Sequence, residues 1–456
     1  MLPVPGYLTD FLIYATAGAA VSLPLLLANT WLAPRLGLMD WPKARGLTEQ
    51  QVPIIGYALV LVAVGFMAAL TTQYPLSPWI FTTTALMGLM GHIDDRKPLP
   101  PLDKFFFQII CALAVVFLDP GVYAAITEPF GLWGALWGVF FLLGLVNCVN
   151  FIDGIDGLAG IVLIVGAVGY IGLSGGLQQP FASMSASLAG ALCVFLYFNI
   201  VRRRGFLGNI GSYALSFLLG TMHLSVPLET SGVVSKLSLS GLCFAIPIAD
   251  GLTVILSRVL TSRSPFHPDR GHLHHRLLQT NVKLRWVLSC FGALAVASMG
   301  LGLVISRLAQ ARSSELPALV CAAHVGLVAS LVVFLDRASR RRVLSYFERI
   351  DAGLSVHYVR YVLSAANGSP LTLAKRNRIE ALASAEIRVS DFCYVDEAGR
   401  FCITLRTLSE PLENITARME ALLREDGIRI VRGPDLGHYS STPLTVAPSG
   451  KIRKVS

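Results

Sequence analysis

Two adjacent carboxylates, Asp94 and Asp95, stand directly after the apolar run 79–90 and directly before Arg96 and Lys97. A proline-rich turn, 98–101, follows, and a second apolar run opens at Phe105. Ionisable groups at the mouth of a membrane span are costly to keep there and mark a functional site by default. Carboxylates so placed can hold a hard cation, take up a proton, or act less readily as nucleophiles. The plain alternative is a solvated acidic loop. Lys104 and Gln108 lie just beyond, four residues apart, and share a face of the helix that follows.

Three further clusters carry chemistry-bearing side chains. In the stretch 147–159, Asn147 and Asn150 are three apart at the end of an apolar segment, and Asp153 and Asp156 repeat that spacing. Two Asp-Gly pairs there predict a tight backbone and a new helix from about Gly157, whose N-terminal N–H groups favour an anion. The stretch 202–212 joins three arginines to a glycine-spaced run, Gly208-Asn209-Ile210-Gly211-Ser212. The arginines read most simply as a topology anchor, and the glycines allow either close backbone approach to a ligand or helix packing. The third runs from Pro247 and Asp250 to Asp269-Arg270-Gly271-His272-Leu273-His274-His275-Arg276. A zinc site is one reading of the histidines. Imidazoles and arginines contacting a diphosphate are the other, and it is favoured because only Asp269 stands near to complete a zinc set. A juxtamembrane basic turn, 40–46, precedes all of these.

The elements that must position these groups are membrane helices. Of 456 residues, 54% are hydrophobic and 14% charged, which excludes an ordinary soluble enzyme. A span needs roughly 20 apolar residues. Eleven segments qualify, near 9–33, 53–72, 77–91, 105–119, 131–149, 157–175, 181–200, 207–228, 236–257, 285–307 and 316–335. No cleavable signal peptide is evident, so the first segment reads as a span that stays. Lys and Arg crowd the loops after spans 1, 3, 7 and 9 and the start of the tail. That bias places the N-terminus outside and the C-terminus in the cytoplasm. It also accounts for the net charge of +9 without a nucleic-acid partner, and it would favour anionic headgroups or a phosphorylated substrate. Every cluster named above then falls on the cytoplasmic side. Eight scattered cysteines form no CxxC or Cys/His spacing and read as small core residues.

Clustered aspartates with a basic surround suit Mg²⁺ bridging substrate phosphates. Together these residues point to phosphoryl chemistry on a substrate that meets lipid. At this level the chain resembles the polyprenyl-phosphate N-acetylhexosamine-1-phosphate transferases, across about residues 10–335. Three motifs carry the resemblance: Gly91–Gln108, Asn147–Ala159, and Pro247–Arg276 ending in His-Leu-His-His. It implies transfer of a sugar 1-phosphate from a UDP-sugar to polyprenyl phosphate with release of UMP, using Mg²⁺ or Mn²⁺. It implies Asp94 as base with Asp95 and Lys104 beside it. Substrate would be bound by Asn147, Asn150, Asp153, Asp156, Asp250, Arg270, His272, His274 and His275. Metal would be held by Asp95, Asp153, Asp156 and Asn209. The chain departs from the family pattern in two places. The first inner loop reads Arg45-Gly46-Leu47-Thr48, then Pro53 and Gly56-Tyr57, where the family carries Arg-Lys-x-His, Pro and Gly-Gly. Asn209 stands where the family has an aspartate that ligates metal.

The expected architecture is an all-α polytopic membrane protein over 1–336, in a bacterial inner membrane, with a small cytoplasmic α+β domain over 337–440 and a disordered end, 441–456. In the tail, 341–366, 371–385 and 411–425 read as amphipathic helices, and 391–395, 401–405 and 428–431 as strands. No catalytic motif is visible there, so the tail is open to a protein partner, regulation or membrane docking. A homodimer is equally open. Two other function classes stand beside the transferase. One is a catalytically silent relative that binds lipid carrier or nucleotide sugar, or scaffolds a pathway. The other is a transporter, disfavoured because the charges lie at a surface and no repeat is visible.

Overall fold

The structure is a computed structural model. It describes residues 5–40, 52–71, 77–127, 131–177, 181–202, 205–226, 240–260, 284–311, 326 and 330, and in the tail 357–365, 392–395, 401–407, 428–438, 445–446 and 452–453. The chain divides into two compact units, 1–266 with 270–336, and 267–269 with 337–456.

The first unit is helical. Its described helices are α1 (Pro5–Leu36), α2 (Gly56–Leu70), α3 (Pro78–Arg96), α4 (Pro101–Leu118), α5 (Pro120–Thr127), α6 (Gly131–Ile152), α7 (Leu158–Leu173), α8 (Ala182–Leu196), α9 (Gly208–Ser225), α10 (Ala245–Leu260) and α11 (Leu284–Ala311). Each apolar segment read from the sequence, from 9–33 through 285–307, coincides with one of them. Segment 316–335 lies almost wholly outside the described residues. Among the described residues, five helical stretches are long and apolar enough to cross a membrane: 7–35, 101–118, 131–152, 182–201 and 284–305. The short α5 was not foreseen. It follows Asp119, whose Oδ1 accepts the Val122 N–H at 2.9 Å and so caps the turn that Pro120 opens.

Local chemistry sets the helix limits. Ser77 caps α3 and Pro78 occupies its first position. Lys97, ahead of Pro98, is extended and ends the helix. Pro101 then opens α4. The interior is almost entirely apolar, with Phe195, Phe217, Phe244 and Met87 among the fully buried side chains. Large apolar groups also cover the outside, including Leu12 and Trp31 on α1 and Trp133, Trp137 and Phe140 on α6. An apolar surface of that extent belongs to a protein solvated by lipid. Where helices touch, small residues let the backbones meet. A Cβ on Gly18 would lie 1.9 Å from the Ser187 carbonyl oxygen, and one on Gly190 would lie 1.9 Å from that of Ala15, so α1 and α8 cross on glycine.

Two short strands of the first unit, β1 (Met39–Asp40) and β2 (Val52–Pro53), pair antiparallel; in the second unit β3 (His357–Ala365), β4 (Phe392–Val395), β5 (Phe401–Thr407) and β6 (Ile428–His438) form an antiparallel sheet in the order β4-β5-β3-β6. The register sets His357 opposite Thr407 and Leu363 opposite Phe401. The strands expected at 391–395, 401–405 and 428–431 are present, the last one longer. The helix expected over 341–366 is corrected: residues 357–365 form the central strand β3. His-Tyr-Val-Arg-Tyr-Val-Leu is rich in β-branched and aromatic residues, and sheet pairing on both sides outweighs a weak helical period. The helices expected at 371–385 and 411–425 lie outside the described residues. Within the stretch expected to lack structure, Thr445–Val446 pairs with Ile452–Arg453.

Candidate active site

The polar residues gather where six elements end: the C-termini of α3 and α6, the N-termini of α4, α7 and α9, and a π-helical turn after α8. Their meeting depends on Gly91. A Cβ at that position would stand 2.5 Å from the Asn209 carbonyl oxygen and from Ile210 Cα. Hydrogen in its place lets the last turn of α3 lie against the first turn of α9. One turn on, Asp95 then caps a helix more than a hundred residues away. Its Oδ1 accepts the Asn209 N–H at 2.8 Å and its Oδ2 accepts the Ile210 N–H at 3.0 Å. These are the N–H groups a capping side chain normally satisfies from within its own helix. The carboxylate also meets the positive end of the α9 dipole. Gly208 opens α9 at φ 72°, and a Cβ there would lie 2.5 Å from Ile54 Cγ2 and 3.0 Å from Asp95 Oδ2. Both the backbone angle and the space require glycine.

Asp94 is buried, with 4% of its surface exposed, and is the hub of the site. Its Oδ1 accepts the Leu99 N–H at 2.8 Å, which folds the 97–100 turn back onto α3. Its Oδ2 accepts from Lys104 Nζ at 3.0 Å, Asn209 Nδ2 at 2.8 Å and Tyr213 Oη at 3.3 Å. A buried carboxylate needs such compensation, and here one cation and three neutral donors provide it. The Lys104 side chain is itself 25% exposed, so it joins the hub to the surroundings.

The helical spacings read from the sequence lead to different partners. Lys104 reaches Asp94, while Gln108, one turn on and buried, accepts from Asn147 Nδ2 at 2.7 Å. Asn147 thereby ties α6 to α4. Asn150 ties α6 to α9, donating through Nδ2 to Asn209 Oδ1 at 2.9 Å and to Ser212 Oγ at 3.0 Å. Asp153 and Asp156 do not share a helix face as the two asparagines do. α6 stops at Ile152, and both aspartates lie in the turn that leads to α7. Gly157, at φ 90°, closes that turn and begins the helix one residue before Leu158, matching the start read from the two Asp-Gly pairs.

Asn199 holds the turn, and sequence reasoning missed it. It sits in the π-helical segment Tyr197–Val201, where the Arg202 N–H reaches back to the Tyr197 carbonyl at 3.0 Å. The buried amide accepts the Gly157 N–H at 2.6 Å and donates to the Gly205 carbonyl at 2.8 Å and to Asp156 Oδ1 at 3.3 Å. The wider π turn alters the facing of side chains at the end of α8, as such turns often do beside functional sites. The only signal available beforehand was an amide at the end of an apolar run. Tyr213 was missed likewise, as one polar group within an apolar helix.

The described end of the first loop, residues 52–57, packs against the start of α9. The Ile55 N–H donates to the Phe206 carbonyl at 2.8 Å, and the Phe206 N–H to that of Pro53 at 3.0 Å. Asn29 Nδ2 donates to the Ile54 carbonyl at 2.6 Å. A Cβ on Gly56 would lie 1.9 Å from the Leu207 carbonyl oxygen, so this glycine seats α2 against the start of α9. The neighbouring Tyr57 hydroxyl pairs with His92 Nδ1. Of the remaining sequence candidates, Asp250 is buried on α10, next to Gly251, where a Cβ would stand 2.5 Å from Cys148 Sγ of α6. Arg270, His272, His274 and His275 lie outside the described residues.

The donor set is one of oxygens, suited to a hard cation. Among the described residues no three histidine, cysteine or acidic side chains converge as a ready-made metal cluster. Mg²⁺ does not require one, since it commonly takes one or two carboxylates and completes its shell with water and substrate phosphates. Asp153 and Asp156 supply two carboxylates on one turn. The Asp95 oxygens accept the Asn209 and Ile210 N–H groups, which places this carboxylate at the start of α9.

Comparison with known proteins follows this geometry. The pattern of glycosyl transferase family 4 matches residues 77–226, which run from the cap of α3 to the end of α9 and include every contact around Asp94. The chain is 29% identical to the decaprenyl-phosphate N-acetylglucosaminephosphotransferase of Mycolicibacterium smegmatis, over 58% of this chain and 75% of that protein. It is 31% identical to the protein of the same name from Mycobacterium tuberculosis, over 54% of this chain and 70% of that one. It is 25% identical to the undecaprenyl-phosphate alpha-N-acetylglucosaminyl 1-phosphate transferase of Salmonella typhi, over 59% and 77%. With that identity spread over most of its relatives' length, and with the site inside the matched stretch, the chain is a multi-pass membrane protein belonging to glycosyl transferase family 4.

Proposed function

We propose that this protein transfers an N-acetylhexosamine 1-phosphate from a UDP-sugar to a polyprenyl phosphate at the cytoplasmic face of a bacterial inner membrane, as an early step in making a cell-surface polysaccharide. The observation that carries the reading is the buried Asp94–Lys104 pair at the end of lipid-facing helices, in a chain whose relatives are named for this transfer. A phosphate on a lipid carrier would reach such a site from the bilayer, and a nucleotide sugar from the water side. Eleven spans with the N-terminus outside, and a cytoplasmic α+β tail, complete the arrangement.

In this mechanism a polyprenyl phosphate oxygen attacks the β-phosphorus of the UDP-sugar. The new P–O bond forms as the bond to the bridging oxygen breaks, and UMP departs with that electron pair. The product is a polyprenyl diphosphate sugar. Asp94 takes the proton of the lipid phosphate. Both of its oxygens already carry donors, so Lys104, the one cation among them, turns from Asp94 toward the phosphate as the proton arrives. Asn150 and the 153–157 turn line the nucleotide side, with Asn147 and Asp250 behind them. Arg270, His272, His274 and His275 contact the diphosphate or sugar. Mg²⁺, with Mn²⁺ as substitute, would be held by Asp95, Asp153 and Asp156 with the substrate's phosphate oxygens, Asn209 offering only a neutral carbonyl. The ion would neutralise charge on the transferred group.

A second reading has one observation behind it. Asn209 is neutral, and its amide is taken up by Asp94 and Asn150, as would suit a silent relative that binds carrier or nucleotide sugar. One assay separates the two. Purified protein in lipid nanodiscs receives undecaprenyl or decaprenyl phosphate, Mg²⁺ and each of a panel of UDP-N-acetylsugars. The transferase releases UMP with at least one sugar. Absence of release with all of them, alongside measurable nucleotide-sugar binding, would favour the silent relative.

A further inference from the structure

We propose that the Asn209 carboxamide stands in for a cation at Asp94, fixing the junction of α3 and α9 without a metal ion between them. Nδ2 of Asn209 donates to Asp94 Oδ2 at 2.8 Å, and Oδ1 of Asn209 accepts from Asn150 Nδ2 at 2.9 Å. The amide orientation follows from the network. Turned over, Asn209 would set its oxygen against a carboxylate oxygen and its NH₂ against that of Asn150, losing both bonds. The side chain is also anchored from its backbone, because its own N–H donates to Asp95 Oδ1 at 2.8 Å. One residue therefore binds two adjacent carboxylates through N–H groups, its amide nitrogen on Asp94 and its main-chain nitrogen on Asp95.

A carboxylate at position 209 would behave differently. It could still accept from Asn150. Its other oxygen would then face Asp94 Oδ2 at a separation of 2.8 Å with no hydrogen between them. Two carboxylates so close cannot both stay ionised unless a proton or a cation lies between them. Lys104 and the Tyr213 hydroxyl already serve the same Asp94 oxygen and Asp95 adds further negative charge, so a divalent cation is the natural compensation. The amide removes that demand. Any ion serving the reaction is then governed by Asp95, Asp153, Asp156 and the substrate, and the α3–α9 junction keeps its geometry when the ion leaves. This inference rests on the hydrogen bonds and not on the transferase reading. Its tests use no substrate, so each can fail without the other.

The experiment compares wild type, N209D and N209L in nanodiscs, by thermal unfolding in EDTA and in millimolar Mg²⁺, together with Mn²⁺ binding followed by electron paramagnetic resonance. N209D is expected to melt several degrees below wild type in EDTA, to recover most of the loss in Mg²⁺, and to bind Mn²⁺ at least about tenfold more tightly than wild type. That tenfold corresponds to about 1.4 kcal/mol. N209L, which lacks both donor and acceptor, is expected to melt low in EDTA and Mg²⁺ alike. The proposal is overturned if N209D matches wild type in EDTA, if its Mg²⁺-dependent rise is no larger than that of wild type, if it cannot be recovered folded even in Mg²⁺, or if N209L melts like wild type.

Discussion

Replacing Gly91 by alanine tests the geometry on which the site depends. The new methyl group would stand 2.5 Å from the Asn209 carbonyl oxygen and from Ile210 Cα. Comfortable carbon contacts begin at about 3.5 Å. Backbone atoms cannot rotate away as a side chain can, so α3 and α9 must part by roughly 1 Å. The Asp95 bonds to the α9 N-terminus, now 2.8 and 3.0 Å, would stretch beyond hydrogen-bonding range if they took up that displacement. Overpacking of this kind costs about 1–3 kcal/mol, and a hydrogen bond to a charged group is worth about 1.5–3 kcal/mol. Partial relaxation shares the strain, so a loss of about 2–4 kcal/mol is expected. Activity should suffer more, because a shift of about 1 Å among positioned groups can cost on the order of a hundredfold. Gly65→Ala is the control: it also adds a methyl to a helix of the same unit, but nothing lies within 4 Å of the new atom. The measurements are thermal unfolding in nanodiscs and the rate of UMP release. If Gly91→Ala retains both while Gly65→Ala behaves identically, the close approach of α3 and α9 is not what assembles the site.

Two other substitutions probe separate parts of the network. Asn199→Leu leaves the Gly157 N–H and the Gly205 carbonyl without their side-chain partner; a destabilisation of about 1–3 kcal/mol and a raised KM for the UDP-sugar are expected, and an unchanged KM would remove the 153–157 turn from nucleotide binding. Lys104→Met keeps the aliphatic stem but leaves the buried Asp94 with neutral donors only; UMP release should fall by at least about a hundredfold while Lys104→Arg restores part of it, and a fully active Lys104→Met would exclude the lysine from the reaction.

The helices were legible because long apolar runs admit little else in lipid. The proline-rich turn 98–101 marked the end of α3. Several of the polar residues that meet at the helix ends were legible too, since carboxylates and amides beside apolar runs are rare enough to stand out. Their wiring was not. Asn147 and Asn150 share a spacing but serve different helices, and nothing local to either says so. The role of Asp95 as the cap of α9 depends on an approach that Gly91 permits, a relation between residues over a hundred positions apart. Asn199 faces its turn through a π-helical segment, which shifts the register of the helix end and defeats a count by 3.6. In the tail, the strand at 357–365 was hidden because its partners, 401–407 and 428–438, come later in the chain.

The cap that Asp95 provides also has a bearing on how the protein is made. Its carboxylate lies 114 and 115 positions ahead of the N–H groups it receives. During synthesis α3 therefore leaves the translocation machinery long before α9 exists. Until the segment 208–225 arrives, Asp95 has no such partner, and Asp94 lacks the donors it takes from Asn209 and Tyr213. Unpaired carboxylates stay with water in preference to lipid. The end of α3 thus waits at the aqueous boundary while α4 to α8 are made. It seals only when α9 docks, which makes closure of the acidic pair a late, checkpoint-like event in membrane assembly.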